Sequence, residues 1–161
     1  MEILVKSIIK GKGFKPSLVR RVAKKALKAA RPARSARRSR AGEGYREVQV
    51  SILFCSDPYI KRLNKEYREV NAPTDVLAFS MHGGRFPKVH PEILGDVVIS
   101  LETASRQAKR FRHSLDEEIV LLVVHGILHL LGYDHLKNKD KELMRRKEKQ
   151  ILRVISRRVG K

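Results

Sequence analysis

Residues 114–135 read SLDEEIVLLVVHGILHLLGYDH, and the folding of this stretch decides the rest of the chain. Ser114 followed three residues later by Glu117 is a capping box. The serine oxygen and the glutamate carboxylate each satisfy a backbone N–H that the first turn of a helix leaves orphaned. From Ile119 onward the run is apolar on nearly every side, which predicts a helix over 115–131 buried at the centre of the molecule. The apolar stretch falls short of the roughly 20 residues a membrane span needs, so a soluble core helix is expected and no membrane partner. Gly132 is placed for a left-handed stop. Within the helix His125 and His129 stand four apart and project from one face. The turn after Gly132 can bring His135 back beside them.

A lone histidine on an apolar helix is most often a satisfied core residue. Three, spaced H-x3-H-x2-G-x2-H around a helix stop, form a donor set. Zinc takes three neutral imidazoles at about 2.0–2.1 Å and keeps a fourth position open. It also lowers the pKa of water bound there to about 7. The spacing resembles that of the metzincin zinc proteases, whose pattern sets Glu directly after the first histidine. Position 126 is Gly here, so the protease's general base is missing, and the small residue allows either close packing or access to a metal. Asp134 is a candidate base or support for the ligands, or simply a turn residue. An imidazole site also accepts nickel or copper.

The flanking sequence alternates strand and helix signals. EILVKSI (2–8) is β-branched and apolar, and REVQVSILFC (46–55) alternates Val48, Val50, Ile52 and Phe54; both predict strands. So do VLAFS (76–80) and GDVVIS (95–100). Ser17 is the expected cap of a helix from Leu18 to about Ala30, with Leu18, Val22, Ala26 and Ala29 or Ala30 inward. Asp57-Pro58 opens another, to about Glu69, burying Ile60, Leu63 and Tyr67. Ser100 caps a helix through about Phe111. A last one runs from Asn138 to about Arg158 with Leu143, Ile151, Leu152 and Ile155 inward. About four strands and five helices predict one α/β (α+β) domain over residues 1–161, a small mixed sheet around one central buried helix.

Charge adds a partner. Of 161 residues, 36 are Lys or Arg and 17 Asp or Glu, a net charge of +19. Residues 3–42 carry fourteen basic residues and no acid, whereas the histidines lie in a nearly neutral middle. Such an acid-free stretch favours a phosphate-tracking surface. RPARSARRSRAGEG (31–44) reads as a basic loop, with Arg34, Arg37, Arg38 and Arg40 as candidate RNA contacts. One cysteine, Cys55, excludes an internal disulfide and a cysteine zinc cluster. The start lacks the apolar core and cleavage site of a secretory signal, so a cytoplasmic setting is expected.

Four stretches, in order, resemble the YbeY family, the metal-dependent endoribonucleases of bacterial ribosomal RNA maturation. They are LNKEYR (63–68), PTDVLAF (73–79), LGDVVIS (94–100) and HGILHLLGYDH (125–135), and the likeness covers roughly residues 46–155. The resemblance implies a small α/β fold with one zinc ion on three histidines and no small-molecule cofactor. It implies cleavage of single-stranded RNA, 16S rRNA 3′-end maturation, ribosome quality control, and association with the small ribosomal subunit. Residue by residue it makes His125, His129 and His135 the metal ligands and Arg68 the essential arginine, and it matches Asp96 to a family acid to which no role is assigned. Ala78 and Asn71 stand where the family usually has Ser and Asp, and are assigned no chemistry. The residues themselves leave two rivals open. One is a zinc peptidase, opposed by Gly126 and the basic charge. The other is an RNA-binding assembly factor with a structural metal.

Overall fold

Alternation along the strands decides how the layers stack. In the computed structural model, which describes residues 1–9, 13–30, 48–81, 92–133 and 138–156, nine elements follow in order. They are β1 (Glu2–Ser7), α1 (Pro16–Ala29), β2 (Gln49–Cys55), α2 (Asp57–Arg68), β3 (Val76–Ser80), β4 (Ile93–Ser100), α3 (Leu101–Phe111), α4 (Leu115–Leu130) and α5 (Asn138–Ser156). The sheet order is β1-β2-β4-β3, with β1, β2 and β4 parallel and β3 antiparallel on the edge beside β4. Val50, Ile52 and Phe54 of β2 and Val97 and Ile99 of β4 join one core with α1, α4 and α5. The opposite face, with Cys55, Leu77 and Val98, packs Ile60 of α2. The expected α/β architecture with a central buried helix is what is found. Among the described residues no helix is long and apolar enough to cross a membrane.

Several local expectations are corrected. Helix α1 begins at Pro16 with Lys15 at its N-cap and no side-chain cap bond, so Ser17 is not the cap. Proline has no N–H to satisfy and a φ already suited to the first helical position. The start therefore moves upstream. The inward stripe becomes Val19, Val22, Ala23, Ala26 and Leu27, leaving Leu18 half-buried. Tyr67 is 61% exposed and lies edge-to-face on Phe79, 5.0 Å between ring centres. On α5, Leu143 is exposed and Met144 takes the inward place. Residues 46 and 47 of the expected strand, the expected loop 31–44 and the expected helix end 157–158 lie outside the described residues.

Asp57 is not an N-cap either; Ser56 holds that position without a side-chain bond. The Asp57 carboxylate instead accepts from Ser100 Oγ at 2.5 Å, Thr103 Oγ1 at 2.7 Å and Arg106 at 2.7 Å. Burial opposes its charge, but these three donors outweigh burial and hold its pKa below the usual carboxylate value. In return Glu102 accepts the backbone N–H of Asp57 at 2.6 Å. An acid from each of two helix starts thus ties α2 to α3. Ser100 caps α3 as expected, accepting from the Thr103 N–H.

Candidate metal centre

The central helix is built as its sequence dictates. Ser114 and Glu117 form the reciprocal capping box at its start, and Gly132 ends it at φ +84°. Acids in its first turn meet the positive end of the helix dipole. Tyr133 is packed beside the helix end, 8% exposed.

Gly126 decides how closely this helix approaches the sheet. A Cβ at that position would stand 2.5 Å and 3.0 Å from the two methyl carbons of Val97 on β4. Glycine is there for close packing. A glutamate at 126 would drive its first carbon into Val97, so the protease-type base is excluded by the backbone as well as by the sequence. Gly95 serves a similar end: at φ +136° it lets the Phe79 carbonyl oxygen come to 1.9 Å from where a Cβ would be. A register shift against β2 falls beside it, the kind of bulge that re-aims neighbouring side chains next to sites.

His125 and His129, both half-buried, turn toward each other, with Nε2 atoms 3.0 Å apart and ring centres 4.7 Å apart. The Nδ1 of His125 is held by Glu148 Oε1 of α5 at 2.6 Å. A carboxylate on one ring nitrogen keeps the proton there and leaves the lone pair on the other. That is the support a metal-ligating imidazole receives. The donor set therefore fits a histidine-preferring ion such as zinc. The third candidate, His135, and Asp134 lie outside the described residues, among which no group of three metal-ligating side chains forms. Cys55 offers no alternative nucleophile or ligand: it is fully buried, and burial with the nearby Asp57 charge pushes its pKa up to about 12.

Arg68 is exposed at the last turn of α2. Its neighbour Tyr67 rests on Phe79; the next residue, Ser80, donates to the Leu130 carbonyl at 3.5 Å, one residue past His129. The ends of α2 and α4 thus lie at the same end of β3, on opposite faces of the sheet. Asp96, exposed and paired with Phe79, belongs to that end too. By strand alternation, however, it shares the α2 face with Val98, whereas Val97 faces the histidine helix. Asn64 is structural, its amide donating to the Ala72 carbonyl at 2.8 Å. Asp75 accepts from Thr74, the Val76 N–H and Gln107. Arg34, Arg37, Arg38 and Arg40 lie outside the described residues. Glu148 was the residue sequence reasoning missed. Its signal was a carboxylate set in the inward stripe of Met144, Ile151 and Ile155.

A sheet backing a helix that turns two imidazoles together, one anchored by a carboxylate, has the donor chemistry of a histidine metal site. The model of the family described as Endoribonuclease YbeY matches residues 12–156. Endoribonuclease YbeY of Pelotomaculum thermopropionicum is 54% identical over 114 residues, covering 68% of this chain and 74% of that one. Endoribonuclease YbeY of Desulforamulus reducens is 46% identical over 118 residues, 71% and 77% of the two chains. The solution structure of TM1509 from Thermotoga maritima superposes with a TM-score of 0.54 at 27% identity, over 92% of this chain and 85% of that one. The chain belongs to the YbeY endoribonuclease family, and its substrate is RNA.

Proposed function

We propose that the chain is a zinc-dependent, single-strand-specific endoribonuclease of 16S rRNA 3′-end maturation and ribosome quality control. In this reading it works in the cytoplasm on the small ribosomal subunit. The observation that carries the metal assignment is the 3.0 Å approach of the His125 and His129 Nε2 atoms with Glu148 behind His125. His125, His129 and His135 would hold the ion. Bound there, zinc supplies a Lewis acid for the phosphate and a lowered pKa for water.

The chain's own residues do the rest. Glu148 keeps the His125 ring oriented and its Nε2 lone pair inward. Arg68 presents a forked, permanently charged donor to the phosphate oxygens as negative charge builds during cleavage. The arginines of 31–40 attract the strand. The test is metal content and RNA cleavage, measured together for the wild type and Arg68→Ala. The expected result is cleavage lost with zinc retained. Cleavage at the wild-type rate in Arg68→Ala would remove the arginine from the mechanism. A zinc-loaded wild type that binds ribosomal subunits but cuts no single-stranded RNA would favour the assembly-factor reading.

A further inference from the structure

Helix α5 does more than supply Glu148. Its inward stripe is Met144, Ile151 and Ile155. Lys141, Arg145, Lys149 and Arg153 recur every four residues and are all exposed, starting beside that stripe at Lys141 and winding away to the outer face at Arg153. Residues four apart on a helix lie one above the other and advance about 6 Å per step, so the four cations form a slowly winding ridge about 18 Å long. That step is comparable to the phosphate spacing of an extended nucleic-acid strand. In sequence the same register continues through Lys137 and Arg157, outside the described residues.

Two further observations make the ridge more than a solvated face. Its charges are uncommitted: among the described residues none of the four has an ion-pair partner, whereas Arg146 beside them is paired with Glu142. Shallow grooves also flank it. One, of about 380 Å³, is lined by Arg146, Lys149, Gln150, Arg153 and Val154. The other, about 350 Å³, is lined by Lys149, Leu152, Arg153 and Ser156. Arg145 stands one turn before Glu148, which holds His125, on the neighbouring side of the helix, so the ridge begins beside the face that supports the metal centre.

We propose that the α5 ridge of Lys141, Arg145, Lys149 and Arg153 is the track that carries the phosphate backbone of single-stranded RNA past the histidine centre. The inference rests on RNA being the substrate and names the surface that holds it. An anionic lipid surface fits less well. A membrane-lying helix needs a continuous apolar face to insert, and the apolar stripe of α5 is already buried in the core, which leaves only Leu143 and Val154 as exposed large apolar residues on that helix.

The experiment uses the zinc-loaded full chain and a short 2′-O-methyl single-stranded RNA, with affinity measured by fluorescence anisotropy across salt concentrations. Each phosphate contact contributes about 0.7 to the slope of log affinity against log salt. Replacing Lys141, Arg145, Lys149 and Arg153 with Gln should reduce that slope by about 2.8, removing about 50-fold of the affinity lost between 50 and 200 mM salt. Lys141→Arg with Lys149→Arg should keep the slope, and zinc content should not change in either variant. A charge-matched set on the exposed face of α1, Arg20, Arg21, Lys24 and Lys28 to Gln, should leave most of the slope in place.

An unchanged slope in the ridge variant overturns the proposal, as does an equal loss in the α1 variant. So does loss of binding to phosphatidylserine vesicles with RNA binding intact. Cleavage is read separately on unmodified RNA. A wild type with the full slope and no cleavage would overturn the nuclease mechanism while leaving the ridge standing. Normal cleavage with an unaltered slope in the ridge variant would do the reverse.

Discussion

Placing a methyl group on Gly126 is the sharpest way to ask whether the helix–sheet contact positions the histidines. Carbon atoms in ordinary contact sit about 3.5–4.0 Å apart, but the new Cβ would lie 2.5 Å and 3.0 Å from the Val97 methyls. Helix α4 must therefore lift by about 1 Å, or Val97 must leave its place in a strand buried on that face. Overpacking of this size costs about 1–3 kcal/mol, offset by up to about 1 kcal/mol of improved helix propensity. Gly126→Ala should thus lose about 1–2 kcal/mol in urea unfolding of the zinc-loaded protein. Because His125 and His129 ride on the same helix, a shift of that size should also lower cleavage by as much as about 100-fold. Val97→Ala removes both clashing methyls and leaves only the Val97 Cβ, 3.4 Å away. Alone it opens a small cavity worth about 2 kcal/mol. Combined with Gly126→Ala it should recover about 1–2 kcal/mol of coupling energy and most of the activity. If the two substitutions simply add in stability, with no recovery of cleavage, the contact is not what sets the helix.

Three further outcomes follow from named contacts. Glu148→Gln should weaken zinc binding about 10–100-fold in a chelator competition with the circular dichroism unchanged; undiminished affinity would mean that Glu148 does not support the ligand. Asp57→Asn should cost about 2–3 kcal/mol at neutral pH. Because the folded-state pKa of Asp57 lies below its ordinary value of 3.8, that stability is present above 3.8 and lost as the pH falls through the folded value, so the gap to wild type should close in acid. A gap constant down to acid pH would contradict the role of its charge. The zinc-loaded chain should not hydrolyse casein, having no carboxylate at 126; chelator-sensitive proteolysis that persists through purification would restore the peptidase reading.

Where local chemistry and burial point the same way, the sequence carries the structure. The Ser114–Glu117 box, the Gly132 stop and the alternating strand 49–55 are set by backbone satisfaction and side-chain period, both readable from neighbours in the chain. What was not legible depends on partners distant in sequence. Asp57 looked like a cap because its own turn offered that use, and only the fold brings Ser100, Thr103 and Arg106 within reach. Tyr67 looked like core because a helical stripe passes through it, but what lies beneath it is Phe79 on the edge strand of the sheet, which leaves the ring mostly exposed. Gly126 was ambiguous until Val97 stood opposite it. Glu148 lies 23 residues from His125, and a glutamate in a Lys- and Arg-rich helix reads as one more surface charge until its apolar neighbours on the same stripe are counted. The pairing of His125 with His129 was legible because helical spacing alone enforces it.

The most direct test of the central claim is a zinc titration of the metal-stripped chain, with cleavage of a labelled single-stranded RNA followed at each addition. The account predicts no cleavage at the outset, a rate that rises with added zinc and levels off at one equivalent per chain, and no rise at all in His129→Ala. Cleavage that is undiminished in the stripped protein, or that responds to zinc equally well in His129→Ala, would contradict it.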